Sequence, residues 1–157
     1  MSTDDELNLD QYRQWIQLGR VDEVLSALEK LSLKKAVSTK SLLIELIPVL
    51  RRAGAYEEAL KLLTHFDDRS PERDLEEALL LGELGATASA LNKIRSISPS
   101  QIATSLHFDL AFHRGNFESV ARDFEASAET FRKLSESPQL TELQVGIAKL
   151  NFLGARV

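Results

Sequence analysis

Apolar residues recur at three- and four-residue intervals along most of the chain, a spacing that predicts amphipathic α-helices. The clearest case follows Gly54, where one helical face carries Tyr56, Ala59, Leu60, Leu63 and Phe66. The stretch before Gly54, residues 42–50, is apolar over most of its circumference, which predicts a central helix. A glycine between two such stretches can adopt a positive φ and end the first helix. The pattern therefore predicts a helical hairpin that turns at Gly54.

The same pattern surrounds Gly19, Gly85 and Gly115, each followed by apolar residues at helical spacing. The glycines are 35, 31 and 30 residues apart, a period typical of one helix-turn-helix unit per repeat. We predict four hairpins in one domain, over residues 4–35, 38–68, 70–97 and 98–134. A further helix, residues 138–154, is expected to cap the last repeat.

Three serine–proline pairs predict where helices begin, with serine as N-cap and proline in the first turn. They are Ser70-Pro71, Ser98-Pro99 and Ser137-Pro138. Gln101, three residues after Ser98, adds the second half of a capping box. Pro48 lies inside a predicted helix, and it either kinks that helix or separates two helices.

The segment Gly54-x-Tyr56-x-x-Ala59, followed by Leu63 and by Pro71, resembles the second half of a tetratricopeptide repeat. The other units match in part, since Val24 and Val120 stand where the small residue is expected and the Gly85 unit lacks the aromatic residue. The resemblance is to the broad tetratricopeptide-like group and covers residues 4–134. It implies an all-α fold, a right-handed α-solenoid of about four stacked hairpins with a C-terminal capping helix.

The amino-acid composition excludes several kinds of site and disfavours several kinds of partner. The chain has no cysteine, which excludes disulfides and thiolate sites, and its net charge of −5 gives no basic footprint for nucleic acid. The longest apolar stretch is too short to span a bilayer, and the start of the chain is acidic and polar rather than a secretory signal. No phosphate loop, nucleophile elbow or metalloprotease motif occurs. We expect no enzyme activity, no cofactor, no nucleic-acid partner, no membrane span and a cytoplasmic location.

One pair of residues suggests chemistry. Asp109 and His113 are four residues apart and could meet on one helical turn. They could form half of a metal site or an acid–base dyad, or only a surface hydrogen bond.

The resemblance also implies a partner groove, because the first helix of each tetratricopeptide-like hairpin lines the concave surface. Counting back from each glycine places ten residues there: Arg13, Ile16, Ile44, Arg51, Arg52, Leu79, Glu83, Asp109, Phe112 and His113. Arginine and aromatic residues are enriched at binding hot spots, and Arg51 with Arg52 suits a peptide carboxylate or an acidic segment. Alternatively the two arginines only cap their helix, and Phe112 packs against the next hairpin.

The expected function is that of a non-enzymatic adaptor or chaperone that holds a peptide or helix of a partner protein in this groove. The alternative is a structural subunit of a larger or self-associated assembly, a homodimer included. Such an assembly would form through residues 42–50 or the apolar tail, residues 150–157. A helical-repeat nucleic-acid binder or enzyme is disfavoured by the negative charge and the missing catalytic motifs.

Overall fold

The computed structural model describes residues 9–32, 46–64, 70–138 and 140–155, and the regular secondary structure within these ranges is entirely helical. The helices are α1 (Leu9–Gln17), α2 (Val21–Ser32), α3 (46–52), α4 (Tyr56–Thr64), α5 (Pro71–Glu83), α6 (Thr87–Arg95), α7 (His107–Val120), α8 (Phe124–Ser135) and α9 (Glu142–Ala155). This confirms the predicted all-α class. Contacts divide the chain into two compact units, residues 1–68 and 69–157. Among the described helices, none has the length and hydropathy that a bilayer span needs.

Four pairs of helices are joined by turns with the same backbone geometry. One residue in each turn is left-handed: Gly19, Gly54, Gly85 and Arg122, with φ of 75°, 82°, 81° and 63°. The N–H of this residue donates to the carbonyl three residues back, and the next N–H donates to the carbonyl five residues before it. This pair of bonds satisfies carbonyls that the end of a helix would otherwise leave free. The turns predicted at Gly19, Gly54 and Gly85 are therefore present.

The fourth turn does not lie at Gly115, so that prediction is wrong. Helix α7 continues through Gly115 to Val120, and Arg122 supplies the left-handed residue. Gly115 is buried against Phe131 of α8, where a Cβ would lie 2.7 Å from two carbons of the ring. Position 115 therefore needs glycine because α7 and α8 pack closely there. With Arg122 as the fourth turn residue, the turn residues are 35, 31 and 37 positions apart.

The corrected spacing aligns the four hairpins. The residue five positions after each turn residue is completely buried: Val24, Ala59, Ala90 and Ser127 are all 0% exposed. Three of the four are small, which lets the paired helices approach closely. Ser127 satisfies its hydroxyl by donating to the Gly115 carbonyl at 2.8 Å. In this alignment Arg122-x-Phe124-x-x-Ser127 corresponds to Gly54-x-Tyr56-x-x-Ala59.

One predicted helix start is present and two are displaced. Ser70 caps α5 as predicted, and its hydroxyl accepts from the Arg73 N–H at 3.3 Å. Ser98 begins only the short 3-10 turn Pro99–Gln101, and its N–H donates to Gln101 Oε1 at 3.0 Å. A second 3-10 turn, Thr104–Leu106, follows before α7 begins at His107.

Helix α9 begins at Glu142 rather than directly after Ser137-Pro138. A reciprocal cap fixes this start: the Thr141 N–H donates to Gln144 Oε1 at 3.0 Å, and the Gln144 N–H donates to Thr141 Oγ1 at 3.3 Å. The sequence Thr-x-x-Gln is the usual form of this capping box, and it outcompetes the serine–proline signal.

Helix α7 lies between the two apolar clusters of the second unit. The first cluster packs α5, α6 and the following segment against α7 and contains Leu75, Ala78, Leu79, Leu91, Ile94, Ile97, Ile102 and Leu110. The second packs α8 and α9 against the other side of α7 and contains Phe131, Leu134 and Ala148, with Phe108, Phe112 and Phe152 against them. Since α7 serves both clusters, its remaining face is the one that can carry polar side chains.

Candidate binding cleft

A cleft of about 620 Å³ lies in the second unit and runs along this remaining face of α7. His107, Ala111, Arg114 and Glu118 line it from α7, at the three- and four-residue steps that place them on one side of the helix. Helix α8 forms one wall with Thr130, Lys133 and Leu134. The segment between α6 and α7 forms the other. The cleft therefore combines an apolar floor with charged side chains.

A buried carboxylate lies at one end of the cleft. Glu118 is 0% exposed, and three donors surround it: Arg114 Nε at 3.0 Å, Arg95 Nη2 at 3.3 Å and Thr130 Oγ1 at 2.7 Å. A buried carboxylate is costly unless it is paired and hydrogen-bonded, and this one is both. We call Arg95, Arg114, Glu118 and Thr130 the Glu118 cluster. It connects α6, α7 and α8, and Arg95 extends it to Asp123 in the α7–α8 turn at 3.2 Å.

The aligned hairpins show that this glutamate is exceptional. The residue four positions before the turn residue is Trp15, Leu50 and Leu81 in the first three hairpins and Glu118 in the fourth. Only the fourth hairpin places a charge where the other three place an apolar side chain. A departure from an otherwise consistent pattern is expected at functional sites, so it draws attention to this end of the cleft.

Arg114 can bind a further anion. It uses Nε to bind Glu118, and its side chain is 44% exposed. Within the part of the chain that the structure describes, its two terminal nitrogens, Nη1 and Nη2, have no partner. A guanidinium presents its N–H groups in a fixed fork that matches a carboxylate or phosphate. Arg114 therefore offers a positively charged donor pair at the cleft.

His107 adds an unsatisfied polar atom at the opposite end of the same helical face. Its Nε2 atom is buried and has no hydrogen-bond partner among the described residues. Burying such an atom without a partner costs free energy. Because Nε2 has no solvent access, a ligand in the cleft does not reach it in this conformation, and the charged groups that a ligand can contact belong to Arg114 and α8.

The cations of α8 are already paired. Arg132 binds Glu129 at 2.8 Å and Glu136 at 2.9 Å, and Lys133 lies 3.5 Å from Glu129. The hydrogen bond from Arg132, followed by the charges of Arg132 and Lys133, lowers the pKa of Glu129 to about 2. Glu129 therefore stays ionised and offsets part of the charge of these cations. Lys133, with a side chain that is 71% exposed, remains a second cation on the wall of the cleft.

Five of the ten residues predicted for a groove lie in the second unit, and two of these five pack in its apolar clusters. Leu79 is 4% exposed and belongs to the first apolar cluster, so the expectation that it faces a partner is wrong. Phe112 is half-buried, stacks on Phe108 of the same helix at 5.4 Å and lies 6.0 Å from Phe131 of α8, so it packs within its own hairpin. His113 contacts the rings of Phe112 and Phe117. Glu83 and Asp109 are exposed, and no group of three metal-ligating side chains occurs among the described residues.

The first unit holds the other predicted groove residues. Ile16 is 4% exposed, so the expectation that it is an exposed contact is also wrong. Arg13 is exposed and lies 3.5 Å from Asp10. Arg52 is exposed and Arg51 is half-buried near the end of α3. Ile44 lies outside the described residues, as does most of the stretch before Pro48.

Sequence reasoning missed Arg114 and Glu118. The signal was their four-residue spacing, which suits an ion pair on one helix. It was obscured because Gly115, between them, was assigned to a turn. Once α7 is known to be continuous, the two residues fall on one face.

Comparison with known proteins finds no matching family model, no matching curated protein and no matching solved structure. The tetratricopeptide-like resemblance therefore stays a prediction. A function for this chain must be argued from the chemistry of its own cleft.

Proposed function

We propose that this chain is a non-enzymatic protein-interaction module, and that the cleft along α7 binds an acidic peptide segment of a partner protein. The observation that carries the proposal is the guanidinium of Arg114, which is held in place by Glu118 and keeps two donor nitrogens free among the described residues. A positioned guanidinium recognises carboxylates with both charge and geometry.

The proposed architecture is a short tetratricopeptide-like α-solenoid. Its support is the repeated turn geometry at Gly19, Gly54, Gly85 and Arg122. A completely buried residue five positions after each of these turns adds to it. Helical repeats of this kind present extended surfaces to other proteins, which favours an adaptor or chaperone role over catalysis. The absence of catalytic motifs from the sequence points the same way.

The lining of the cleft defines the expected ligand. Phe108, Ala111 and Leu134 offer apolar contacts, and Arg114 offers a carboxylate site beside them. A segment with one apolar side chain beside an aspartate or glutamate satisfies both features.

A phage-displayed library of random peptides, selected on the full chain, tests this proposal. We expect enriched peptides to carry an aspartate or glutamate next to an apolar residue. Losing a hydrogen bond between charged groups costs about 1.5–3 kcal/mol, so Arg114→Gln should weaken the selected peptides by about 10- to 100-fold.

Arg20→Gln is the matched control, since it removes the same charge from an exposed arginine of the first unit that already pairs with Glu23. It should leave peptide affinity unchanged, and thermal melts should establish that both variants are folded. Enrichment without acidic residues, or equal affinity for Arg114→Gln and the unmodified chain, would contradict the proposal.

A further inference from the structure

The charged side chains along the cleft cancel one another. Apart from His107, the ionisable side chains of the lining are two cations, Arg114 and Lys133, and two carboxylates, Glu118 and Glu129. The ion pairs that extend from these four add two cations and two carboxylates, which are Arg95, Arg132, Asp123 and Glu136. Four cations therefore balance four carboxylates in this part of the described structure.

Glu118 lies directly behind the guanidinium that the proposed ligand would contact. It accepts from Arg114 Nε at 3.0 Å, while Nη1 and Nη2 of Arg114 remain for an incoming anion. Only one planar guanidinium then separates the two anions, so they lie within about 8 Å, the range over which charges interact at physiological salt. Because Glu118 is completely buried, salt and water screen this repulsion less than they would at the surface.

The number of charges on the ligand therefore decides how well it binds. A carboxylate carries one negative charge, which the free donor pair of Arg114 attracts. A phosphate monoester carries a charge of about −1.5 to −2 at pH 7, and proteins that recognise it usually supply a cluster of arginines. Here the second negative charge meets no surplus cation, since Lys133 already lies 3.5 Å from Glu129.

We propose that Glu118 is a specificity-determining residue of the cleft, whose buried charge makes Arg114 accept a singly charged carboxylate and exclude a phosphorylated segment. The inference rests on the proposed function, because it concerns the same anion site. Specificity commonly includes a repulsive element against the wrong ligand, and a buried carboxylate behind the binding guanidinium is such an element. It also gives a reason for a charge at a position that is apolar in the first three hairpins.

Capped peptides of five residues test this specificity on the full chain. Their order is alanine, leucine, X, leucine, alanine, and both ends are blocked, so that X carries the only anion and no terminal carboxylate competes. X is glutamate, glutamine, phosphoserine or sulfoserine. Sulfoserine has the shape of phosphoserine but a single charge, so it separates charge from size. The NMR signal of the Arg114 Nε–H group follows binding at the cleft, with that of Arg20 as the reference.

The four peptides should bind the unmodified chain in a defined order. We expect the glutamate peptide to bind about tenfold more tightly than the glutamine peptide, because it adds a charge-assisted hydrogen bond. The sulfoserine peptide should lie within about threefold of the glutamate peptide, and the phosphoserine peptide should bind at least about fivefold more weakly than either.

Glu118→Gln removes the charge and keeps the shape of the side chain. Arg95 and Arg114 both bond to Oε1 of Glu118, and Thr130 bonds to Oε2. A glutamine can accept from the arginines with its oxygen and donate to the Thr130 hydroxyl with its nitrogen, so the variant should fold. It should narrow the preference for glutamate over phosphoserine at least about threefold.

The ratio of the two affinities separates specificity from structural damage. Loosened packing would weaken both peptides equally and leave the ratio unchanged. Glu23→Gln is the matched control, since it removes a paired carboxylate from the first unit and should not change the ratio.

Three results would overturn the inference. The first is a phosphoserine peptide that binds the unmodified chain as tightly as the glutamate peptide, a comparison that needs no variant. The second is a Glu118→Gln chain with an unchanged ratio. The third is equally weak binding of sulfoserine and phosphoserine, which would mean that size decides. Equal binding of the glutamate and glutamine peptides would contradict the proposed function itself, and the inference with it, so the two failures are distinguishable.

Discussion

The ring of Phe131 lies directly on the backbone of Gly115, so that a Cβ at Gly115 would be 2.7 Å from its Cε2 and Cζ atoms. Gly115→Ala should therefore destabilise the second unit by about 1–3 kcal/mol, the usual cost of overpacking. Alanine's better helix propensity offsets at most about 1 kcal/mol of this. Urea denaturation measures the change.

A glycine with free space serves as the control for that substitution. At Gly146 an added Cβ meets nothing within 4 Å, so Gly146→Ala should be neutral or stabilising. Phe131→Leu in the Gly115→Ala background should recover part of the loss. Equal effects at Gly115 and Gly146 would mean that Phe131 is not the cause.

Arg122 carries backbone strain that glycine would remove. Its φ is 63°, in the left-handed region that costs a side-chain-bearing residue about 1–2 kcal/mol. Arg122→Gly should raise the free energy of unfolding by about 1 kcal/mol. Arg122→Ala, which removes the charge but keeps the Cβ, should change it little. Gly85→Ala should act in the opposite direction, because the same turn conformation would gain a Cβ. If Arg122→Ala and Arg122→Gly stabilised the chain equally, the cause would be the loss of the arginine charge and not the relief of backbone strain.

At position 118, we expect leucine to destabilise the chain less than alanine does. Glu118→Ala leaves Arg114 and the Thr130 hydroxyl without this acceptor, and Arg95 with only Asp123. It should cost about 3 kcal/mol, the lower end for a broken buried pair, since both arginines reach solvent. Glu118→Leu places an apolar side chain where Leu50 and Leu81 stand in other hairpins. We expect it to recover at least about 1 kcal/mol of that loss, because leucine fills the cavity that alanine would leave. Glu83→Ala is the exposed control, and equal losses for both Glu118 variants would refute the alignment.

The lowered pKa of Glu129 predicts that the folded state loses stability as the pH falls. Its pKa is about 2 in the folded chain against an ordinary 4.5, mainly because Arg132 donates a hydrogen bond to it. The folded state therefore binds fewer protons than the unfolded state between these values. The stabilisation is complete above about pH 4.5 and is lost as the pH falls toward 2. By carbon NMR the Glu129 carboxyl should still be ionised at pH 3, and in Arg132→Gln it should be largely protonated there.

The sequence predicts the parts of this fold that depend on neighbouring residues. Three turns follow from a glycine between amphipathic stretches, and the Ser70 cap follows from a hydroxyl before a proline. The start of α7 was not predictable in this way, since the segment after Ser98 forms 3-10 turns while Ile97 and Ile102 join the first apolar cluster. Gly115 was misassigned because its reason for being glycine, the ring of Phe131, comes from another helix.

The candidate site depends almost entirely on tertiary contacts. Arg114 and Glu118 have the spacing of an ordinary surface ion pair, and the burial of Glu118 depends on Arg95 and Thr130 from other helices. Leu79 and Ile16 were expected in a groove because counting back from Gly85 and Gly19 placed them on the concave surface that the resemblance implies. Both side chains are instead buried, which gains free energy for apolar groups.

Arg114 binds the buried Glu118 and, in the proposed function, also binds the ligand, which affects the substitutions that the chain can accumulate over evolutionary time. A change at Arg114 removes a donor from the buried Glu118 carboxylate and also removes the free donor pair of the cleft. Selection for a stable chain and selection for a functional one then act on the same side chain. Arg122 is under the opposite pressure, because glycine at that position should improve the turn and only its side chain argues against it. Homologous chains should therefore retain the arginine in α7 while the residue in the turn drifts, often toward glycine.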